Sequence, residues 1–215
     1  MTLYQEIRAA GKAMQPKLLD ATRHLGFDAL RIAKKLTVPT TGRTLVFDSE
    51  IEQTAFFDFW FHEYRVNGKS LVESVDPVAA GLLPLEAEAL AARCCSRTSY
   101  FEIVDVLPQE RQVRMRDLLD PTSPEVFVTD YGLSESADRL GLRLTMFFRL
   151  LEIRGVTMTS GFNFGFQPAR SPGIREAYRQ KMKKVPPDEL SQTRFVFFFN
   201  KNRQFGEEQG FLDVV

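Results

Sequence analysis

The stretch TSYFEIVDVLPQERQVRMRDLLD (98–120), continued by PEVFVTDYG (124–132) and GLRLTMFFRLLEIRGVTMTSG (141–161), decides the fold. Here the apolar pattern changes from a helical period to a period of two. Phe101, Ile103 and Leu107 alternate with Glu102 and two valines. Beyond the Pro108-Gln109-Glu110 turn, Val113 and Met115 alternate with Arg114 and Arg116. Alternation broken by turn residues predicts half-buried antiparallel strands, four to six of them. A small twisted sheet of that kind closes into an SH3-like or OB-like barrel, or curls and packs one face on a helix. Gly155 and Gly161 mark tight turns or bulges. The polar segment from Asp130 to Arg139 reads as an exposed loop.

Everything before this stretch reads helical. Leu3, Ile7 and Ala10 make one stripe; Leu18, Leu19, Thr22 and Leu25 make another, with breaks at Pro16 and Gly26. A third helix from Phe27 to Leu36 turns Leu30, Ala33 and Leu36 inward. A short helix pair around a Gly turn also fits a helix-turn-helix, although helical hairpins with solvated Lys/Arg faces are common. Ser49 and Glu52 have the spacing of a capping box at the start of DSEIEQTAFFDFWFHEY, and Glu50 adds a carboxylate at the positive end of the helix dipole. With Phe56, Phe57, Phe59, Trp60, Phe61 and Tyr64, this helix is apolar nearly all round, which predicts a central core helix beneath the sheet, ended by Asn67-Gly68. A helix from Leu85 to Cys95 follows.

After the connector FNFGFQP, Ser171 suits an N-cap and Pro172 the first turn of a further helix. Ile174, Ala177, Tyr178, Met182 and Val185 share one of its faces, and Pro186-Pro187 stops it. In the run FVFFF, length favours helix and local propensity favours strand; we read it as helix. The expected architecture is α+β: a helical layer over 1–97, an antiparallel β region over 98–167 and a C-terminal helical segment over 168–215, in one compact domain.

Composition narrows the function classes. The chain has 215 residues, 28 basic and 28 acidic side chains, and 19 phenylalanines against one tryptophan. A formal net charge of zero removes any global attraction to nucleic acid or anionic lipid, so such binding needs a local patch. No apolar run is long enough for a membrane span, and the N-terminus lacks a secretory apolar core. The adjacent Cys94 and Cys95 offer no disulfide framework and read as buried or half-buried thiols, which fits a cytoplasmic protein.

LVFDSEIEQTAFFDFWFHEYRVNGKSLVESV and SRTSYFEIVDVLPQERQVRMRDLLD resemble segments of a group of uncharacterised bacterial proteins. The shared pattern is an acid-rich helix start and aromatic Asp-Phe helix (Glu50, Asp58), a Ser-x-Phe-Glu strand (Ser99 to Val104), Arg116 to Leu119, and a later Arg-Leu-Leu strand (Arg149 to Leu151). Some members of that group carry a Cys/His zinc motif of the SEC-C type, which this sequence lacks. The resemblance implies a fold and no active site.

Chemistry leaves few marks. The two histidines, His24 and His62, sit in no metal-binding spacing, so no metal and no cofactor are expected. Nucleophile elbows, P-loops and dinucleotide fingerprints are absent. The catalytic candidates are Asp58, His62 and Glu63, since residues four apart share a helix face. Basic candidates for nucleic-acid contact are Arg114 and Arg116 on a hairpin and Arg175, Arg179, Lys183 and Lys184 on the later helix. Phe195, Phe197, Phe198 and Phe199 are the interface candidates. The first functional reading is a non-catalytic binding or adaptor module that self-associates or meets a protein partner. The second is a nucleic-acid-binding module, and the third an enzyme with a motif-free site near Asp58 and His62.

Overall fold

The computed structural model describes residues 1–140 and 144–207. The chain forms two compact units, the first from residues 1–96 with 151–155, the second from residues 97–150 and 156–215. The final stretch of the expected C-terminal segment, 208–215, and residues 141–143 lie outside the described residues.

The first unit is helical. Helix α1 (Leu3–Thr22) opens with a capping box in which Thr2 and Gln5 exchange side-chain and backbone bonds. It runs straight through Pro16, where a break was expected. Ile7, Gly11, Met14 and Leu18 form one buried stripe across the proline. Burying both halves of that stripe offsets the cost of a proline inside a helix, about 3 kcal/mol for the missing hydrogen bond and the ring's clash together. Helix α2 (Ala29–Leu36) is capped by Asp28 and buries Ile32, Ala33 and Leu36. After the two-residue strands β1 (Thr40–Thr41) and β2 (Thr44–Leu45) comes α3 (Glu50–His62). Ser49 accepts from the Glu52 amide, as its spacing predicted, while the Glu52 carboxylate reaches back one residue further, to the Asp48 amide at 2.7 Å.

Helix α3 stops at His62, short of Asn67-Gly68. Those two residues instead make the left-handed corner of a tiny turn, with φ of 53° and 81° and a bridge between Val66 and Lys69. Within the unit α3 packs on α2, and α1 packs on α4 (Pro84–Cys94).

The second unit is built on a five-stranded antiparallel sheet: β3 (Arg97–Leu107), β4 (Gln112–Asp117), β5 (Val126–Thr129), β6 (Thr145–Ile153) and β7 (Val156–Phe166). Their order is β5-β4-β3-β6-β7. It is a curled sheet and not a closed barrel. The two outer strands approach one another, and the Thr159 hydroxyl donates to the Asp130 carboxylate at 2.7 Å. The β6–β7 turn is the two-residue Arg154-Gly155, both left-handed at φ 50° and 76°, the geometry that matches strand twist. The register of β3 against β4 slips between Ile103 and Asp105. Val104 is the bulged residue, so Val106, opposite Val113, takes the inward place that unbroken alternation assigned to Leu107.

One sheet face carries Phe101, Ile103, Val113, Met115, Val128, Met146 and Phe148. Leu133 and Ala137 join them from helix α5 (Tyr131–Leu140), in the segment expected to be a loop. Asp130 caps α5 through the Leu133 amide. Two apolar residues four apart suffice to hold so polar a helix, because its buried serines 134 and 136 lie on the same side.

The other face is split. Over β3, β6 and β7 lie α6 (Ser171–Met182) and α7 (Leu190–Phe205). Here the Phe147 ring stacks on Phe198 at 4.2 Å and meets Phe162, Phe164 and Phe195. The run FVFFF is helical and supplies the core, each such ring contributing about 1.5–3 kcal/mol by burial. Ser171 is the first helical residue and not the N-cap, which is Arg170. Beyond this pile, toward β4 and β5, the same face carries charged residues and Phe127.

Candidate functional site

The sequence nominated three sets of residues, and the structure treats each differently. Asp58, His62 and Glu63 do come together at the end of α3. All three are buried, at 7, 6 and 3% exposure. His62 Nε2 lies 3.3 Å from Arg93 Nη1 and 3.9 Å from Asp58 Oδ2. A guanidinium only donates, so Nε2 is the acceptor, and a neutral His62 then carries its hydrogen on Nδ1. The ring nitrogen that a general base would use is occupied by Arg93. The guanidinium lies against Gly11 on α1, where a Cβ would stand 3.4 Å from Arg93 Nη2, an ordinary contact. This is an internal polar network linking α3 and α4.

A second buried carboxylate in the same unit is equally structural. Glu86 accepts from Lys17 Nζ at 2.6 Å and from the Leu83 amide at 2.8 Å. The Lys17 hydrogen bond, then the Leu83 amide, hold its carboxyl below the ordinary glutamate value. Among the described residues no group of three or more His, Cys, Asp or Glu side chains converges to hold a metal.

Cys94 and Cys95 are exposed, contrary to expectation. They fall at the end of α4, where the helix turns outward. Partial burial of the Cys94 sulfur, then the nearby Glu73 and Cys95 charges, push that thiol's pKa up. A raised pKa lowers the thiolate fraction and with it the nucleophilicity of the thiol.

The basic candidates separate into two groups. Arg114 contacts Asp105 at 3.3 Å and Glu125 at 3.2 Å; Arg116 contacts Glu125 at 2.9 Å and Glu102 at 3.6 Å. These partners are cross-strand neighbours or flank β5, so the hairpin arginines are matched in place. On α6 the picture differs. Arg175 is half-buried beside the Tyr100 hydroxyl, whose pKa burial raises, with Thr145, Ser171 and Arg175 working against that rise. Arg179 pairs with Glu176 at 2.6 Å, and Lys183 donates to neutral Gln180. Lys184 is exposed.

The Phe candidates are core. Phe195, Phe198 and Phe199 are at most 1% exposed, and Phe197 is half-buried edge-on to Tyr178. They offer no interface. The exposed aromatic is one the sequence reading passed over: Phe127, 51% exposed in the middle of β5. It stands opposite Arg114 in the ladder, so the bare part of the sheet face combines this ring with Arg114, Arg116, Glu102, Asp105 and Glu125. The Val-Phe-Val alternation carried the signal. Flanking valines, both suited to the interior, put the phenylalanine outside.

No helix among the described residues is long and apolar enough to cross a membrane. Residues 1–211 match the model of a family of unknown function (DUF7986), in agreement with the resemblance to an uncharacterised group. No curated protein and no solved structure matches the chain.

Proposed function

We propose that this chain, which belongs to that family of unknown function, is a non-catalytic binding module that works by self-association through the bare β3–β4–β5 face. Phe127 carries the reading: a large aromatic, half exposed, at the centre of an uncovered strand face. Aromatic and Arg side chains are the residue types that dominate protein interfaces. The face bears both signs, two arginines among three carboxylates. Because each arginine is matched within its own copy, a two-fold axis through this face brings together no unmatched arginine around the aromatic. The buried state of Asp58, His62 and Glu63 supports the non-catalytic part.

The test is size-exclusion chromatography with light scattering over a concentration series, on wild type and Phe127→Glu, with far-UV circular dichroism as the folding control. The expected result is a concentration-dependent dimer that the substitution weakens by roughly 30-fold or more, the effect of losing a hot-spot aromatic of about 2 kcal/mol. A wild type that stays monomeric throughout, or a dimer indifferent to Phe127→Glu, would sink the reading.

A further inference from the structure

The chain is neutral, yet its charge is not evenly spread. Residues 168–207, which hold α6 and α7, carry nine basic side chains and four acidic ones, Glu176, Asp188, Glu189 and Glu207. Arg179 and Lys183 stand one turn apart on α6, both exposed, with a step of about 6 Å along the axis, while Arg175, a turn earlier, is half-buried. Lys181 and Lys184, both exposed, add two cations at the C-terminal end of the helix. Among the described residues Glu176 is the carboxylate that meets this group. The Gln180 hydrogen bond, followed by the Arg179 and Lys183 charges, outweighs its partial desolvation and lowers its pKa. One carboxylate against four exposed cations, Arg179, Lys181, Lys183 and Lys184, leaves a surplus. The negative end of the α6 dipole favours cations in the last turn, but a half-charge at a helix end does not neutralise them.

Arg170 and Lys201 lie over the same ring, Phe205, at 4.7 and 5.1 Å, which adds a second cationic spot on the same helical pair.

We propose that this α6 cluster binds the phosphate backbone of a nucleic acid without reading its sequence. A cluster of flexible, exposed cations meets the phosphates of a strand, and sequence-independent binding needs no base contact. A membrane surface fits less well. It calls for large apolar side chains beside the cations, and the described exposed ones, Met1, Val46, Val78, Leu83 and Phe127, are all outside α6 and α7. The hairpin arginines take no part, because Glu102, Asp105 and Glu125 already hold them. The residues of this surface are not those of the Phe127 face, so Phe127→Glu and the lysine reversals test the two proposals with different substitutions.

Fluorescence anisotropy of labelled homopolymeric single-stranded DNA, titrated with the full chain, tests the proposal. Four phosphate contacts on a single strand give a salt slope near −3, so affinity falls roughly twentyfold for a threefold rise in salt. Lys183→Glu combined with Lys184→Glu, both at exposed positions, is expected to weaken binding at least tenfold with an unchanged circular dichroism spectrum. Arg116→Ala is expected to change it less than twofold. No salt-sensitive binding, binding that survives the double reversal, or retention on phosphatidylserine vesicles without oligonucleotide binding overturns the proposal.

Discussion

Helices α3 and α7 are the two aromatic helices of this protein, and they build their cores on different terms. Helix α7 buries Phe195, Phe198 and Phe199 and no ionisable side chain; its arginine at 194 reaches neutral acceptors, the Thr98 carbonyl and the Tyr178 hydroxyl. Helix α3 buries Ala55, Phe56, Phe59 and Phe61 together with Glu52, Asp58 and His62. One core combines ring packing with hydrogen bonds to neutral acceptors, the other combines ring packing with bonds made by buried ionisable side chains. Similar aromatic content therefore says nothing about pH response or about tolerance of polar substitutions.

Four experiments probe that contrast, the largest expected effect first. Phe198→Ala removes the ring stacked on Phe147 and tilted against Tyr100 and is expected to cost about 3–5 kcal/mol. Urea unfolding should show the loss, and hydrogen exchange should place it in α7. A loss under 1 kcal/mol would mean the ring pile is not the core of that unit.

Arg93→Ala takes the donor from His62 Nε2 and is expected to cost about 2–3 kcal/mol, read as faster amide exchange through α3. Unchanged exchange there would remove the network from the list of supports.

Glu86→Gln is expected to cost about 1–2 kcal/mol near neutral pH, because it turns a buried charge-assisted bond with Lys17 into a neutral one. Since folding lowers the Glu86 pKa, its contribution is complete above the unfolded glutamate value and is lost as pH falls through the lower folded value. Thermal melts from neutral to acid pH should therefore show wild type converging on the variant. Parallel curves would contradict the assignment. Ser49→Ala, which deletes the cap of α3, is the mildest, at about 1 kcal/mol in the same melts.

Much of the second unit could be read directly. Strands β3 and β4, the Gly155 turn and the helical nature of FVFFF all carry local signals: alternation, turn residues and run length. In the first unit, α4 and the Ser49 cap were equally legible. What escaped depended on distant partners. Pro16 looked like a break because the stripe it interrupts is stabilised from outside the helix. Helix α5 looked like a loop because two apolar anchors are too few to register as a period.

The binding surfaces show the same limit more sharply. Arg114 and Arg116 are indistinguishable in sequence from Lys183 and Lys184, but antiparallel pairing sets Glu102 and Asp105 across from the first pair and brings Glu125 alongside. Cross-strand register decides which charges are spent, and a one-residue bulge made that register hard to count. The Phe run posed the converse problem: its hydrophobicity was plain, while its burial rests on β6 and β7.

Val104 adds one last point. It is the residue of β3 with no counterpart on β4. Excising it would leave every neighbouring pair matched as before, Ile103 with Met115 and Asp105 with Arg114, and would remove only the local excess of twist that a bulge introduces. The sheet's curvature and its pairing are thus separately adjustable. The bulge adds local twist to β3 while leaving the pairs on either side of it matched.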